Sequence, residues 1–197
     1  MKIEIRADGA HISGYVNVTE KMSRPVITGK GQRVVEVIEP RAFEGAIERA
    51  ENVAMTKDHN PECVLAQTRD KTLTLYEDAI GLYADAIITD AATIAEARAG
   101  KLRGWSFGMK NVRDKIEERA DALPLRRVSA FDLDHITLVV HKTPFYAATS
   151  IEMRADDQTE AIELRALEET PKISETEPEK PDFDNGAYKN RIAALKR

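Results

Sequence analysis

Apolar and polar residues alternate over most of the first 140 positions, and this period-two pattern predicts a chain built chiefly of strands. Residues 2–6 set Ile3 and Ile5 between charges, residues 11–18 form a second β-prone run, and residues 33–38 a third. Residues 19–31, with Pro25, Gly29 and Gly31, read as an exposed loop. Two hydrophobic stretches change period. Pro40 starts a helix in which Ala42, Phe43, Ala46 and Ile47 make a stripe through about residue 50. Asp90 is placed to cap a second helix over residues 91–99, which Gly100 stops. Between them, residues 52–56 form a short strand that empties into the polar loop Lys57-Asp58-His59-Asn60-Pro61, and residues 72–77 and 82–89 make a hairpin.

Beyond the second helix, Gly104-Trp105-Ser106-Phe107-Gly108-Met109 sets Trp105, Phe107 and Met109 on one face of an extended segment and Ser106, Gly108 and Lys110 on the other. Residues 113–123 are charge-rich and read as a helix or a mobile excursion. Residues 125–133 return as a strand. Residues 134–140 are the most β-prone run, with His135, Thr137 and Val139 sharing a face, and residues 149–153 form a last strand. No internal repeat organises the chain. Past Ala155 the pattern weakens: residues 160–168 suggest a short helix. Residues 169–184 combine acids with Pro171, Pro178 and Pro181, too little apolar surface to offset the entropy of ordering, and are expected to be disordered. Tyr188, Ile192 and Leu195 are spaced for a small amphipathic helix or a frayed terminus. The expected organisation is one mixed α+β, mainly β domain over residues 1–154, followed by an acidic tail over 155–197.

Composition narrows the function. A chain of 197 residues, 42% hydrophobic and 32% charged, buries one core. No apolar run approaches a membrane span, and a soluble cytoplasmic protein is expected. One cysteine, Cys63, excludes an intramolecular disulfide and any cysteine-cluster metal site. Of the net charge of -5, residues 155–185 hold eleven acids against three bases, and the last twelve residues add four bases. The body is thus nearly neutral, with no basic patch to argue for nucleic acid. No metal or organic cofactor is expected.

The chemistry-bearing residues are few. A serine hydroxyl needs a base within hydrogen-bond reach and a third group to orient that base. Ser106, flanked by a bare glycine on its own face, is a candidate nucleophile. Cys63 is a weaker one, because its short spacing from His59 puts both on one loop. His11, His59, His135 and His141 compete as base and orienter, and spacing alone does not choose among them.

His59 in a polar loop, Ser106-Phe107-Gly108, and Asp134-His135-Ile136-Thr137-Leu138-Val139 followed by Pro144 occur in this order. With Glu39-Pro40-Arg41-Ala42-Phe43 and the Gly81-Leu82 hairpin, they resemble the prohead serine proteases of tailed bacteriophages over roughly residues 10–153. The resemblance implies Ser106 as nucleophile and His59 as general base. The family more often has an acid at the position of His135, so the third member is either His135, as in the Ser-His-His set of the similar herpesvirus assembly proteases, or Asp134. Neighbouring strand residues point to opposite faces, so both cannot face His59. The oxyanion hole would come from main-chain amides near Gly108 or near Lys142 and Thr143.

The resemblance further implies an assemblin-like β-barrel with flanking helices. It implies an endopeptidase packaged in the immature capsid inside the host bacterial cytoplasm, whose partners are the phage major capsid protein with its scaffolding segment and other copies of itself. Self-processing is expected after Met153. The alternative is an idle capsid-assembly module on the same fold, and the position of Ser106, His59 and His135 relative to one another discriminates between the two.

Overall fold

The computed structural model describes residues 1–140, 151–152, 162–168 and 171–175. The described residues form two sheets over one core. The first has five strands in the order β13 (Lys172–Glu175), β1 (Lys2–Arg6), β2 (Gly9–Val18), β8 (Gly81–Ile88) and β7 (Leu73–Glu77). The second runs β11 (Ile151–Glu152), β12 (Ile162–Glu168), β9 (Gly104–Glu117), β10 (Leu125–Val139), β4 (Arg33–Ile38) and β3 (Val26–Ile27), with the hairpin β5 (Ala54–Lys57) and β6 (Asn60–Gln67) branching from β10. Ile3, Ile12, Leu82 and Ile88 of the first sheet and Trp105, Phe107, Met109 and Ile136 of the second are fully buried in one cluster. Each such side chain contributes roughly 1.5–3 kcal/mol by leaving water.

Helix α1 (Ala42–Arg49) lays Phe43 edge-on against Phe107 and Phe131, with ring centroids 5.2 and 5.1 Å apart. Its N-terminus is capped from outside the helix. Arg41 holds a left-handed φ of 70° without a side-chain cap, and the Glu77 carboxylate accepts from the N–H groups of Arg41 and Glu44, both at 2.8 Å. A carboxylate there satisfies two orphan donors and complements the helix dipole. Helix α2 (Ala91–Arg98) starts as expected, the Asp90 side chain accepting from Thr93 N–H at 2.7 Å, and Gly100 leaves it at φ 65°.

Five expectations are corrected. Among the described residues the sheets do not close into a barrel. β10 pairs with β9 along one side, but on the other it is shared between β4 at its start and β5 at its end, so the sheet forks and no ladder among the described residues closes it. Residues 113–117 continue β9, because pairing with β10 outweighs their charge. Residues 60–67, beginning in the expected loop, are a strand. Residues 162–168 are a strand where a helix was expected, and 172–175, within the acidic segment, pair parallel with β1.

What seats β12 is a buried ionic cluster. Its Glu163 and Arg165 meet Glu36 of β4 and Arg126 of β10, and all four are at most 6% exposed. Arg165 donates to Glu36 at 2.6 and 2.8 Å, and Arg126 donates to Glu36 at 2.9 Å and to Glu163 at 2.5 and 3.0 Å. Arg126 also pairs with Asp114 of β9, and Gly29 N–H donates to Glu163 at 3.2 Å. These partners hold the Glu163 carboxyl below the ordinary range against burial, which alone would raise it.

Candidate active site

The face of the second sheet away from the core carries the candidate site. In the β9–β10 ladder Ser106 stands opposite Thr137, and Gly108 opposite His135. Directly opposed residues of an antiparallel pair share a face with Cβ atoms about 4.5–5.5 Å apart. Ser106, Thr137 and His135 therefore form one patch, and Gly108 leaves its fourth corner bare. A Cβ on Gly108 would lie 2.7 Å from Cε1 of His135, so no larger residue lets the imidazole settle there.

His59 reaches this patch from the β5–β6 turn. Asp58 and His59 occupy the two central positions with φ of 51° and 60°, as in the mirror-image turns of tight hairpins. Left-handed backbone costs a non-glycine residue about 1–2 kcal/mol. Three hydrogen bonds to β10 and the end of that strand offset it. Asp58 N–H donates to Leu138 O at 2.9 Å, Val140 N–H to Asp58 Oδ1 at 2.7 Å, and His59 N–H to Thr137 Oγ1 at 3.0 Å. The Thr137 hydroxyl in turn donates to Thr56 O at 2.9 Å. Thr137 and Asp58 were not singled out from the sequence. Thr137's place two residues from His135 on the same face was the available signal.

The two imidazoles meet nearly at right angles, with His59 Nδ1 2.7 Å from His135 Nε2. Asp134 lies behind them in series: His135 Nδ1 is 2.8 Å from Asp134 Oδ2, and Lys110 is 3.4 Å from Asp134 Oδ1. A strand that alternated regularly would have turned Asp134 away. The register instead slips between Leu133 and His135, which face Met109 and Gly108, so Asp134 is the extra residue of a bulge. The bulge swings its carboxylate to the His135 ring, and the two rivals for one role become consecutive members of a chain. The hydrogen bond from His135 holds the Asp134 carboxyl below the usual carboxylate range, opposed by burial and aided by Lys110.

The network implies the tautomers. An ionised Asp134 accepts from His135 Nδ1–H, leaving His135 Nε2 as an acceptor for His59 Nδ1–H. His59 Nε2 is then the unprotonated nitrogen, the one a general base needs. Ser106 is 1% exposed, and its hydroxyl donates to the main-chain oxygen of Arg165 in β12 at 2.6 Å.

The remaining candidates lie elsewhere. His11 is on β2 in the other sheet, 3.5 Å from Asp8 and from Arg6. Cys63 is a part-exposed free thiol on β6. Gly108 sits in the ladder between β10 and β12. His141, Lys142, Thr143 and the expected processing position after Met153 lie outside the described residues.

A basic imidazole nitrogen backed by a second imidazole and a carboxylate, over a strand that carries a serine, is equipment for acyl transfer. The family comparison agrees: the model for the caudovirus prohead serine protease matches residues 1–163, and the chain belongs to that family. It is accordingly a serine peptidase of capsid maturation, which works inside the immature capsid and interacts with phage capsid proteins. No curated protein and no solved structure matches the chain.

Proposed function

We propose that the chain is a serine endopeptidase that removes the scaffolding segment of the major capsid protein, and processes itself, inside the prohead. Ser106 is the nucleophile, His59 the general base, His135 its orienter, and Asp134 the group that fixes the tautomer of His135. The observation that carries this reading is the hydrogen-bonded line His59–His135–Asp134 over the Ser106 strand.

In the reaction Ser106 Oγ bonds to the carbonyl carbon of the scissile peptide while its proton passes to His59 Nε2. The imidazolium is stabilised through its Nδ1–H on His135, whose own N–H leans on the Asp134 carboxylate. The oxyanion collapses, the C–N bond breaks, and His59 returns the proton to the leaving amine. Water then repeats the sequence on the acyl-enzyme, with His59 again taking and returning the proton. A neutral imidazole stabilises the imidazolium less than an adjacent carboxylate would, and Asp134 restores part of that field from one ring away.

The test is the mass of the chain and of co-expressed capsid protein after prolonged incubation at high concentration, beside Ser106→Ala. Loss of the scaffolding segment with wild type and not with Ser106→Ala supports the reading. The burial of Ser106 favours the idle assembly module as a second account, and capsid protein left uncut in both samples, and also with β12 displaced from Ser106, would support it.

A further inference from the structure

The strand beside Ser106 belongs to the chain's own tail. β12 pairs antiparallel with β9 over six residues, from Glu163 opposite Met109 to Glu168 opposite Gly104. It thereby covers a strand edge that would otherwise present its N–H and C=O groups to an incoming peptide. Its contact with the serine is direct, since the one hydroxyl proton of Ser106 goes to Arg165 O and not to an imidazole. On the bare side of Gly108, Ile162 Cγ2 would lie 3.0 Å from an added Cβ, so the same glycine that admits His135 also admits this strand.

β12 is held by its side chains as well as its ladder. Alternation turns Glu163 and Arg165 to the face opposite Ile162 and Leu164. There Arg126 receives the acid and Glu36 the arginine, in a set of charged hydrogen bonds that neither sheet strand could complete alone. A groove in which a buried arginine and a buried glutamate stand side by side on neighbouring strands receives an acid and an arginine two positions apart on the incoming strand, and so selects Glu-x-Arg in one direction and register. A peptide lacking either charge leaves its partner buried and unpaired, which costs more than a lost surface contact.

The chain carries that signature twice. Ile162-Glu163-Leu164-Arg165-Ala166 repeats Ile151-Glu152-Met153-Arg154-Ala155 at every position but the centre, where leucine replaces methionine. This five-residue repeat corrects the expectation of none.

We propose that the β9 edge is the peptide-binding groove of the protease, that it takes extended Glu-x-Arg strands read by Arg126 and Glu36, and that β12 occupies it as a built-in competitor. This rests on Ser106 as the nucleophile. Binding of β12 keeps the hydroxyl from His59, so peptide hydrolysis requires its displacement by a strand of the same class.

The experiment compares the full-length wild type with Arg154→Glu/Arg165→Glu, which removes the arginine from both copies. A fluorophosphonate probe reads the serine and hydrogen exchange reads the amides of 162–168. The double variant should exchange those amides faster and label Ser106 at least about tenfold faster, a tenfold change corresponding to about 1.4 kcal/mol of competition. A synthetic Ile-Glu-Leu-Arg-Ala peptide should slow that labelling again, and Ile-Glu-Leu-Glu-Ala should not. Faster exchange with Ser106 labelled at the same measurable rate in both proteins overturns the groove. Unchanged exchange overturns the anchoring by Arg126 and Glu36. If Ser106 stays unlabelled while the amides are released, it is the assignment of the nucleophile that fails, and the anchoring of β12 stands.

Discussion

Two polar clusters lie on the second sheet, and they are built on opposite terms. The Glu36–Arg126–Glu163–Arg165 set is almost sealed from solvent, and its carboxylates and guanidinium groups face opposite charge within hydrogen-bond distance. The His59–His135–Asp134 line is half-buried, directional, and ends in a lysine that remains partly in water. The first holds opposite charges locked against one another. The second holds groups whose protons move. A buried ion cluster settles which strand sits where, whereas an imidazole line must stay near enough to solvent to titrate.

The largest effect should come from breaking the sealed cluster. Arg126→Met leaves Glu36 and Glu163 short of a partner and should cost about 3–5 kcal/mol in urea unfolding. A loss under 1 kcal/mol would show the cluster to be open to water. On the imidazole line the corresponding loss should appear in turnover. Asp134→Asn lets His135 carry its proton on Nε2, forcing His59 to accept at Nδ1 and to protonate the nitrogen that should be the base. We expect a fall in kcat of about 10²–10³, smaller than loss of a carboxylate adjacent to the base, with only a small drop in the unfolding midpoint. Equal turnover with equal stability would remove Asp134 from the line.

Thr137→Val tests the join between turn and strand. It strands His59 N–H and Thr56 O, and should cost about 1–3 kcal/mol while lowering kcat through a displaced imidazole. The smallest effect is that of pH on the Asp134 carboxylate. Its folded pKa is depressed, so its contribution is present in full above the unfolded value near 3.9 and is lost as pH falls through the lower folded value. The stability difference between wild type and Asp134→Asn should be flat above about pH 5 and shrink below about pH 4. A difference that instead changes between pH 6 and 8 would assign the linkage to an imidazole.

Much of this architecture was legible in local signals. Period-two alternation marked β1, β4, β7, β8 and both arms of the β9–β10 pair, and Asp90 and Gly100 marked the ends of α2. Local signals failed where long-range pairing overrode composition. Residues 113–117 are charged yet extend β9 because β10 lies beside them, and residues 162–168 look helical yet are a strand because Glu36 and Arg126 receive Glu163 and Arg165.

By itself the sequence determined the mainly β class, the core face of Trp105, Phe107 and Met109, and, through resemblance, the family and its candidate serine and histidines. These follow from periodicity and from short motifs, which need no knowledge of partners. Only the tertiary structure decided that Asp134 stands behind His135, that Thr137 holds the His59 turn, and that a tail strand covers Ser106. A one-residue bulge reverses which face a side chain takes, and a buried charge is stable only beside its partner, so both depend on neighbours dozens of residues away along the chain.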